Sequence, residues 1–306
     1  MRVSLLFPHT PLDADEVRPF ADLVRLRDAH RLWMGTSPQG DPLPALAYLA
    51  GAGYRVPVGT SVQLTPLRHP FQAAADARAL SLLTGRPVVA GFGAGTPEVI
   101  AHLLGRPYER PAAAVRDYLA EVRRYLDGGD ALLAKTDHPR VELAAGVLRP
   151  GMARAAAGVA DAAVTWMTPP EYLRDAVVPA LGGGTDRPPR LVTVVHAAVR
   201  RPGRDARALA FEAAQGHLSA GHYVDMLNRA GLRVSAADPW EGAGRLVDGG
   251  VFLYGSAAEV AEGLKGYAAA GADEVVINPA GATATENVRS GAEDAAEILA
   301  EFHDQR

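Results

Sequence analysis

Cysteine is missing from all 306 residues, which excludes disulfides, thiolate metal ligands and a cysteine nucleophile. Lysine occurs only twice, at Lys135 and Lys265, and no run of basic residues interrupts the chain. Aromatic residues make up 6% and the formal net charge is −4. A phosphate backbone calls for a basic stripe and stacked bases call for aromatic side chains, so the composition argues against a nucleic-acid partner. Long apolar runs are also lacking. The start, MRVSLLFPHT, carries one basic residue and a short apolar stretch before Pro8, too brief for a signal sequence and far short of a membrane span. A cytoplasmic protein is expected, with no membrane partner. The nine histidines are scattered without ligand spacing, so no metal site is expected. Neither a Gly-x-Ser-x-Gly elbow nor a P-loop is present, and hydrolase and NTPase chemistry fall away.

What is present is a regular alternation. Short β-branched or aliphatic runs fall at Val3 to Phe7, Leu32 to Gly35, Val56 to Gln63, Val88 to Gly93, Val141 to Ala145, Ala162 to Trp166, Leu191 to Val199 and Glu274 to Asn278. Helical patterns fill the gaps at Ala14 to Arg27, Pro44 to Ala52, Phe71 to Leu83, Pro97 to Leu104, Ala112 to Leu126, Met152 to Gly158, Pro170 to Leu181, Arg204 to Ala230 and Ala257 to Ala270, and a last one closes the chain near Ala292 to Phe302. Eight β/α units in a chain that is 48% hydrophobic predict an α/β fold, a closed (β/α)8 TIM barrel spanning residues 1–306 as one domain. An open doubly wound sheet usually announces a Gly-rich first turn, and Phe7-Pro-His-Thr-Pro11 is not one. Residues 200–250 read as a helical and irregular excursion over one end, with Ser235 to Gly250 as its irregular part. The segment 182–189, GGGTDRPP, reads as a surface loop.

A barrel puts its active site at the C-terminal strand ends. His9, Thr36, Ser61, Gly93 to Thr96, Gly146, Trp166 and His196 would therefore surround one mouth. His9 and His196, at the ends of the first and seventh strands, suit positioning a carbonyl or imine, or donating a proton, unless they are satisfied structural histidines. Trp33 and Trp166 lie near strand ends and either face the substrate or fill the barrel. Gly93-Ala94-Gly95-Thr96 ends a strand just before Pro97 opens a helix. Its backbone N–H groups and the Thr96 hydroxyl would meet a cofactor's polyol or an anion, or else the glycines serve a tight turn.

Four segments in order carry a resemblance: Gly59-Thr-Ser-Val62 with Arg68-His69-Pro70; Gly85-Arg86 before Val88 to Gly95; Val141 to Asp161; and Tyr254-Gly255-Ser256 to Pro279. Through them the chain resembles the bacterial luciferase-like flavin and deazaflavin oxidoreductases. The resemblance implies a barrel holding FMN or coenzyme F420 across its mouth, with Thr60, Ser61 and Val62 under the ring. It puts a non-prolyl cis peptide at Ser61-Val62, and the cofactor phosphate near Ala145, Gly146 and Arg149, with Thr36 and Trp166 also facing the cofactor. His69 and Asp161 fit the family pattern as structural residues. Thr36 and Ser37 stand where many relatives carry an acidic residue or a histidine, which unsettles any copied acid/base mechanism. Homodimers are usual in the family, and the Ala-rich helix Phe71 to Leu83 suits such an interface.

The Gly-Thr-Ser-Val and Gly-Ala-Gly-Thr turns, together with a composition typical of a high-GC genome, lean towards F420. The reading is an F420H2-dependent reductase passing hydride to an activated C=C or C=N bond of a small or peptidic substrate, with His9, His196 and Trp33 as catalytic candidates, in natural-product biosynthesis. The alternatives are an FMN-dependent monooxygenase fed by a separate reductase, and a barrel that binds flavin without catalysis.

Overall fold

Ten strands run parallel: β1 (Arg2–Phe7), β2 (Leu32–Met34), β3 (Val58–Thr60), β4 (Gln63–Leu64), β5 (Val88–Gly93), β6 (Val141–Gly146), β7 (Ala162–Trp166), β8 (Arg190–Val199), β9 (Phe252–Gly255) and β10 (Glu274–Asn278). The helices are α1 (Arg18–Arg25), α2 (Pro42–Gly51), α3 (Pro70–Thr84), α4 (Pro97–Leu104), α5 (Pro111–Leu126), α6 (Pro150–Ala156), α7 (Pro170–Tyr172), α8 (Val178–Gly182), α9 (Ala206–Leu218), α10 (Gly221–Arg229), α11 (Pro239–Asp248), α12 (Ala257–Ala269), α13 (Ala280–Thr285) and α14 (Val288–Asp304). The computed structural model describes residues 1–304 except 27, 28 and 38.

Hydrogen bonds link β10-β1-β2-β3-β5-β6-β7-β8, and β8 returns to β10 with His196 opposite Asn278. The sheet therefore closes on itself as the expected (β/α)8 barrel. Side chains alternate along each strand. Leu6, Trp33, Val89, Ala144, Ala162, Val164, Val192, Val194 and Val276 meet inside the barrel, while the opposite faces pack under the helices.

Local chemistry explains the element boundaries. Helices α2, α3, α5 and α6 each begin on a proline, one or two residues before the pattern of apolar spacing shows itself. Proline's missing N–H is unpaired at a first helical position anyway. Asp41 caps α2 by accepting from the Leu43 N–H (2.8 Å), and His69 caps α3 through Nδ1 (3.2 Å from the Phe71 N). His69 is thus structural, as its place in the family pattern implies.

Four expectations change. The helix expected from Ala14 begins as a 3-10 turn, Ala14–Val17, before α1, and its expected end at Arg27 lies outside the described residues. The helix expected over Pro170 to Leu181 contains a π-turn at Leu173–Val177, where the Val178 N–H reaches back to the Leu173 carbonyl; this absorbs Pro179, which has no N–H to donate. The helix expected over Arg204 to Ala230 breaks at Ser219-Ala220 into α9 and α10. Ser235 to Gly250 is mainly helix α11, capped by Asp238 on the Glu241 N–H (2.9 Å).

β8 is ten residues long; His196 to Val199 pair with the unexpected strand β9, and Ala197 to Val199 run past the end of β10. His196 therefore lies within a strand rather than at its end. The excursion of α9, α10 and α11 leaves from this protruding strand.

Candidate active site

At the third strand, the Ser61-Val62 peptide is cis and separates β3 from β4. Val62 turns its side chain into the barrel against β5 and β6. A Cβ on Gly93 would fall 2.6 Å from Val62 Cγ2, and one on Gly146 would fall 3.3 Å from Val62 Cγ1. A Cβ on Gly91 would come to 2.0 Å from the Thr60 carbonyl oxygen. These glycines make room for the third strand itself. Gly95, at φ +77°, supplies the turn into α4.

Thr60, expected under the ring, lies elsewhere. It is fully buried, and its hydroxyl accepts from the Gly91 N–H (2.9 Å), tying β3 to β5 rather than facing the mouth. Ala145 points outward into the helix-packed core, and Ala94 packs against that same core. Trp33 lies in the barrel interior with no exposed surface; Gly59 leaves room for its ring, and its indole N–H donates to Glu274 Oε1 (2.8 Å). A tryptophan placed there, its N–H committed to Glu274, supports the barrel. His9 packs on Phe7 (centroids 4.6 Å apart), with Nε2 3.4 Å from the Glu16 carboxylate, beside the first 3-10 turn.

Thr36, Ser61, Thr96 and Arg149 follow the C-terminal strand ends at the mouth. The Thr36 and Ser61 hydroxyls are buried without a protein partner. Thr96 sits at the N-cap of α4 with its hydroxyl unused for capping. Arg149, at the N-cap of α6, donates from Nη1 to Asp225 Oδ2 of α10 (2.8 Å) and so fastens the excursion to the end of β6. Asp161 accepts from the Leu143 N–H (2.7 Å) and pairs with Arg123, organising the entry to β7.

Trp166 and His196 share the inward face of β7 and β8, with ring centroids 5.8 Å apart at 78°. Trp166 Nε1 and His196 Nε2 are both buried without a partner. Phe252 of β9 stacks on His196 from the other side (6.4 Å, 15°). Two residues absent from the sequence reading complete the group. His217 of α9 stacks on Trp166 (5.6 Å, 28°), and Tyr223 of α10 meets His217 edge-on (4.7 Å, 77°). His222 lies against Tyr223, with Nδ1 unpartnered. The available signal was the clustering His217-Leu-Ser-Ala-Gly-His-Tyr223 around a helix break, which a scan for metal spacing passes over.

This group is uncharged at neutral pH. Burial, and then the neighbouring His217, push His196 down to about 3; burial, and then His222, push His217 down to about 4. Burial raises the Tyr223 hydroxyl well above its ordinary range. A cleft of about 450 Å³ also opens at the opposite end of the barrel, lined by Arg2, His30, Arg55 and Arg86 among others. It lies away from the C-terminal strand ends, where barrel enzymes carry out their chemistry, so the mouth is the candidate site.

The sequence profile of the luciferase-like monooxygenase family matches residues 8–274, and the chain belongs to this family. No curated protein matches it by sequence. Among solved structures it is similar to an F420-dependent secondary alcohol dehydrogenase in complex with an F420-acetone adduct (TM-score 0.76, 14% identity, 98% of each chain covered). It is also similar to the coenzyme F420-dependent tetrahydromethanopterin reductase of Methanopyrus kandleri (TM-score 0.72, 15% identity, 98% of each chain). A third is the oxygenating constituent of 3,6-diketocamphane monooxygenase from a Pseudomonas putida plasmid, in complex with FMN (TM-score 0.68, 15% identity, 100% of this chain and 98% of that one). At these identities the likeness is one of fold.

Proposed function

We propose that this chain is an F420H2-dependent reductase that transfers hydride to an activated C=C or C=N bond of a small or peptidic molecule, in natural-product biosynthesis. The observation that carries the reading is the pair Trp166 and His196: two neutral hydrogen-bonding side chains, side by side at the mouth, with Nε1 and Nε2 buried and unpartnered. Buried polar groups are normally satisfied, and orphans of this kind fit atoms supplied by a ligand. The unpartnered Thr36 and Ser61 hydroxyls beside the third-strand bend fit the polar edge of a planar ring in the same way.

When bound, the reduced deazaflavin supplies a hydride. Trp166 donates its N–H to the acceptor heteroatom, and His196, in the tautomer protonated at Nε2, donates a second hydrogen bond. Both draw electron density from the carbon that receives the hydride. A neutral imidazole stabilises developing negative charge without first surrendering its own proton. The proton that completes the reduction comes from solvent.

An FMN-dependent monooxygenase is the second reading, favoured by the family's description and by the FMN-bound neighbour. Parallel calorimetric titration of the purified protein with F420 and with FMN separates the two. Micromolar or tighter binding of F420 alone is expected. Preference for FMN would move the account to oxygen chemistry, and tight binding without turnover on any acceptor would leave a non-catalytic barrel.

A further inference from the structure

The helical excursion contributes more than cover. The break at Ser219-Ala220 turns the chain so that His217 and Tyr223, on two successive helices, reach the same indole ring. Trp166, His217 and Tyr223 each retain accessible surface although protein surrounds them, as the walls of a cleft do, while His196 beneath them is fully buried. Of the charged side chains near the group, Arg149 is paired with Asp225 at the rim, while the Glu98 carboxylate acts on His222.

We propose that His217 and Tyr223, with Trp166 and His196, form the acceptor subsite, and that it takes a planar, uncharged, conjugated carbonyl or imine. The proposal rests on reading this mouth as the active site. The stacked rings of Trp166 and His217, their planes 28° apart, offer an aromatic surface, and the unpartnered Trp166 N–H and His196 Nε2 offer hydrogen bonds to one heteroatom. A carboxylate entering here would lose its hydration and meet Glu98 as a like charge, with Arg149 already paired to Asp225, so it is rejected. His217 is a positioning residue: its ring fixes the plane of Trp166, and Tyr223 holds His217 from the far side.

The test uses the full-length protein without cofactor, titrated with coumarin and with coumarin-3-carboxylate, followed by calorimetry and tryptophan fluorescence, with Trp166→Phe assigning the signal. Coumarin is expected to bind at least tenfold more tightly than its carboxylate. His217→Ala should weaken coumarin about tenfold. His217→Phe, which keeps an uncharged ring, should restore most of that loss, and His217→Lys should shift the preference towards the carboxylate. Equal affinity for the two probes, no binding of coumarin, or an unchanged preference in His217→Lys would overturn the subsite. Because no cofactor is present, a preference for FMN in the separate titration would sink the F420 reading and leave this result standing.

Discussion

The two ends of the barrel interior solve opposite problems. At the N-terminal end, buried charge faces opposite charge, although Arg31 Nε and His30 Nε2 have no hydrogen-bond partner. Glu274 Oε1 accepts from the Ser4 hydroxyl (2.6 Å) and from the Trp33 N–H (2.8 Å); Arg31 stands 3.9 Å away and donates to the Val58 carbonyl (3.0 Å); and Arg190 spans Glu274 and Glu142. Burial opposes the Glu274 carboxylate, but Arg31 and these hydrogen bonds outweigh it and hold its pKa below the usual range. At the C-terminal end the buried groups are neutral and unanswered: Thr36, Ser61, Trp166 and His196. The difference is one of charge: ion pairs hold one end together, whereas the other offers neutral hydrogen-bonding groups.

The largest effect is expected where the ion-paired end is broken. Glu274→Ala leaves Arg31 and Arg190 without their shared carboxylate and should cost about 3–5 kcal/mol in denaturant unfolding. Where the variant remains folded, cofactor affinity should be unchanged, since the floor lies away from the mouth.

Acid should weaken the protein through the other end. Unfolded, His196 and His217 titrate near 6.5; folded, they are held at about 3 and about 4. Between those values the unfolded chain binds protons that the native state refuses. Stability is therefore flat above about pH 6.5 and falls below it, by roughly 1.4 kcal/mol per pH unit for each histidine. His196→Phe should remove about half of this slope in unfolding curves taken from pH 7 to pH 5; an unaltered slope would show that the mouth is not held neutral by burial.

Gly93→Ala sets a Cβ against Val62 and should cost about 1–3 kcal/mol, much of it regained in the double variant with Val62→Ala. Additive losses would mean that Val62 does not fill the glycine space. Arg149→Ala removes a half-exposed pair with Asp225 and should change unfolding stability by less than about 1 kcal/mol. Any larger effect on F420 affinity would then report a contact with the cofactor itself.

Much of the fold was legible, because parallel strands buried on both faces read as near-continuous apolar runs such as Val88 to Gly93 and Leu191 to Val199. β9 escaped notice because its four residues carry no period of their own; only pairing with the overhanging end of β8 makes them a strand. α11 was hidden behind Pro239 and two glycines, Gly242 and Gly244, although Asp238 marked its start. The site was legible only in part. Trp166 and His196 follow from alternation at strand ends, whereas Trp33, three residues long in its strand, gave no sign that it points to Glu274, 241 residues away. The same holds for Gly93 and Gly146, whose partner Val62 becomes apparent only once the third strand bends inward. His217 and Tyr223 reach the mouth from helices outside the β/α repeat, and no local pattern encodes that approach.

The most direct test is to mix the protein with F420H2 and a panel of conjugated enones and imines under strictly anaerobic conditions, following reappearance of the oxidised deazaflavin. Acceptor-dependent oxidation without oxygen, slowed at least tenfold in His196→Ala with F420 affinity retained, is the predicted result. Inert F420H2 across the panel, with reduced FMN and oxygen supporting turnover instead, would contradict it.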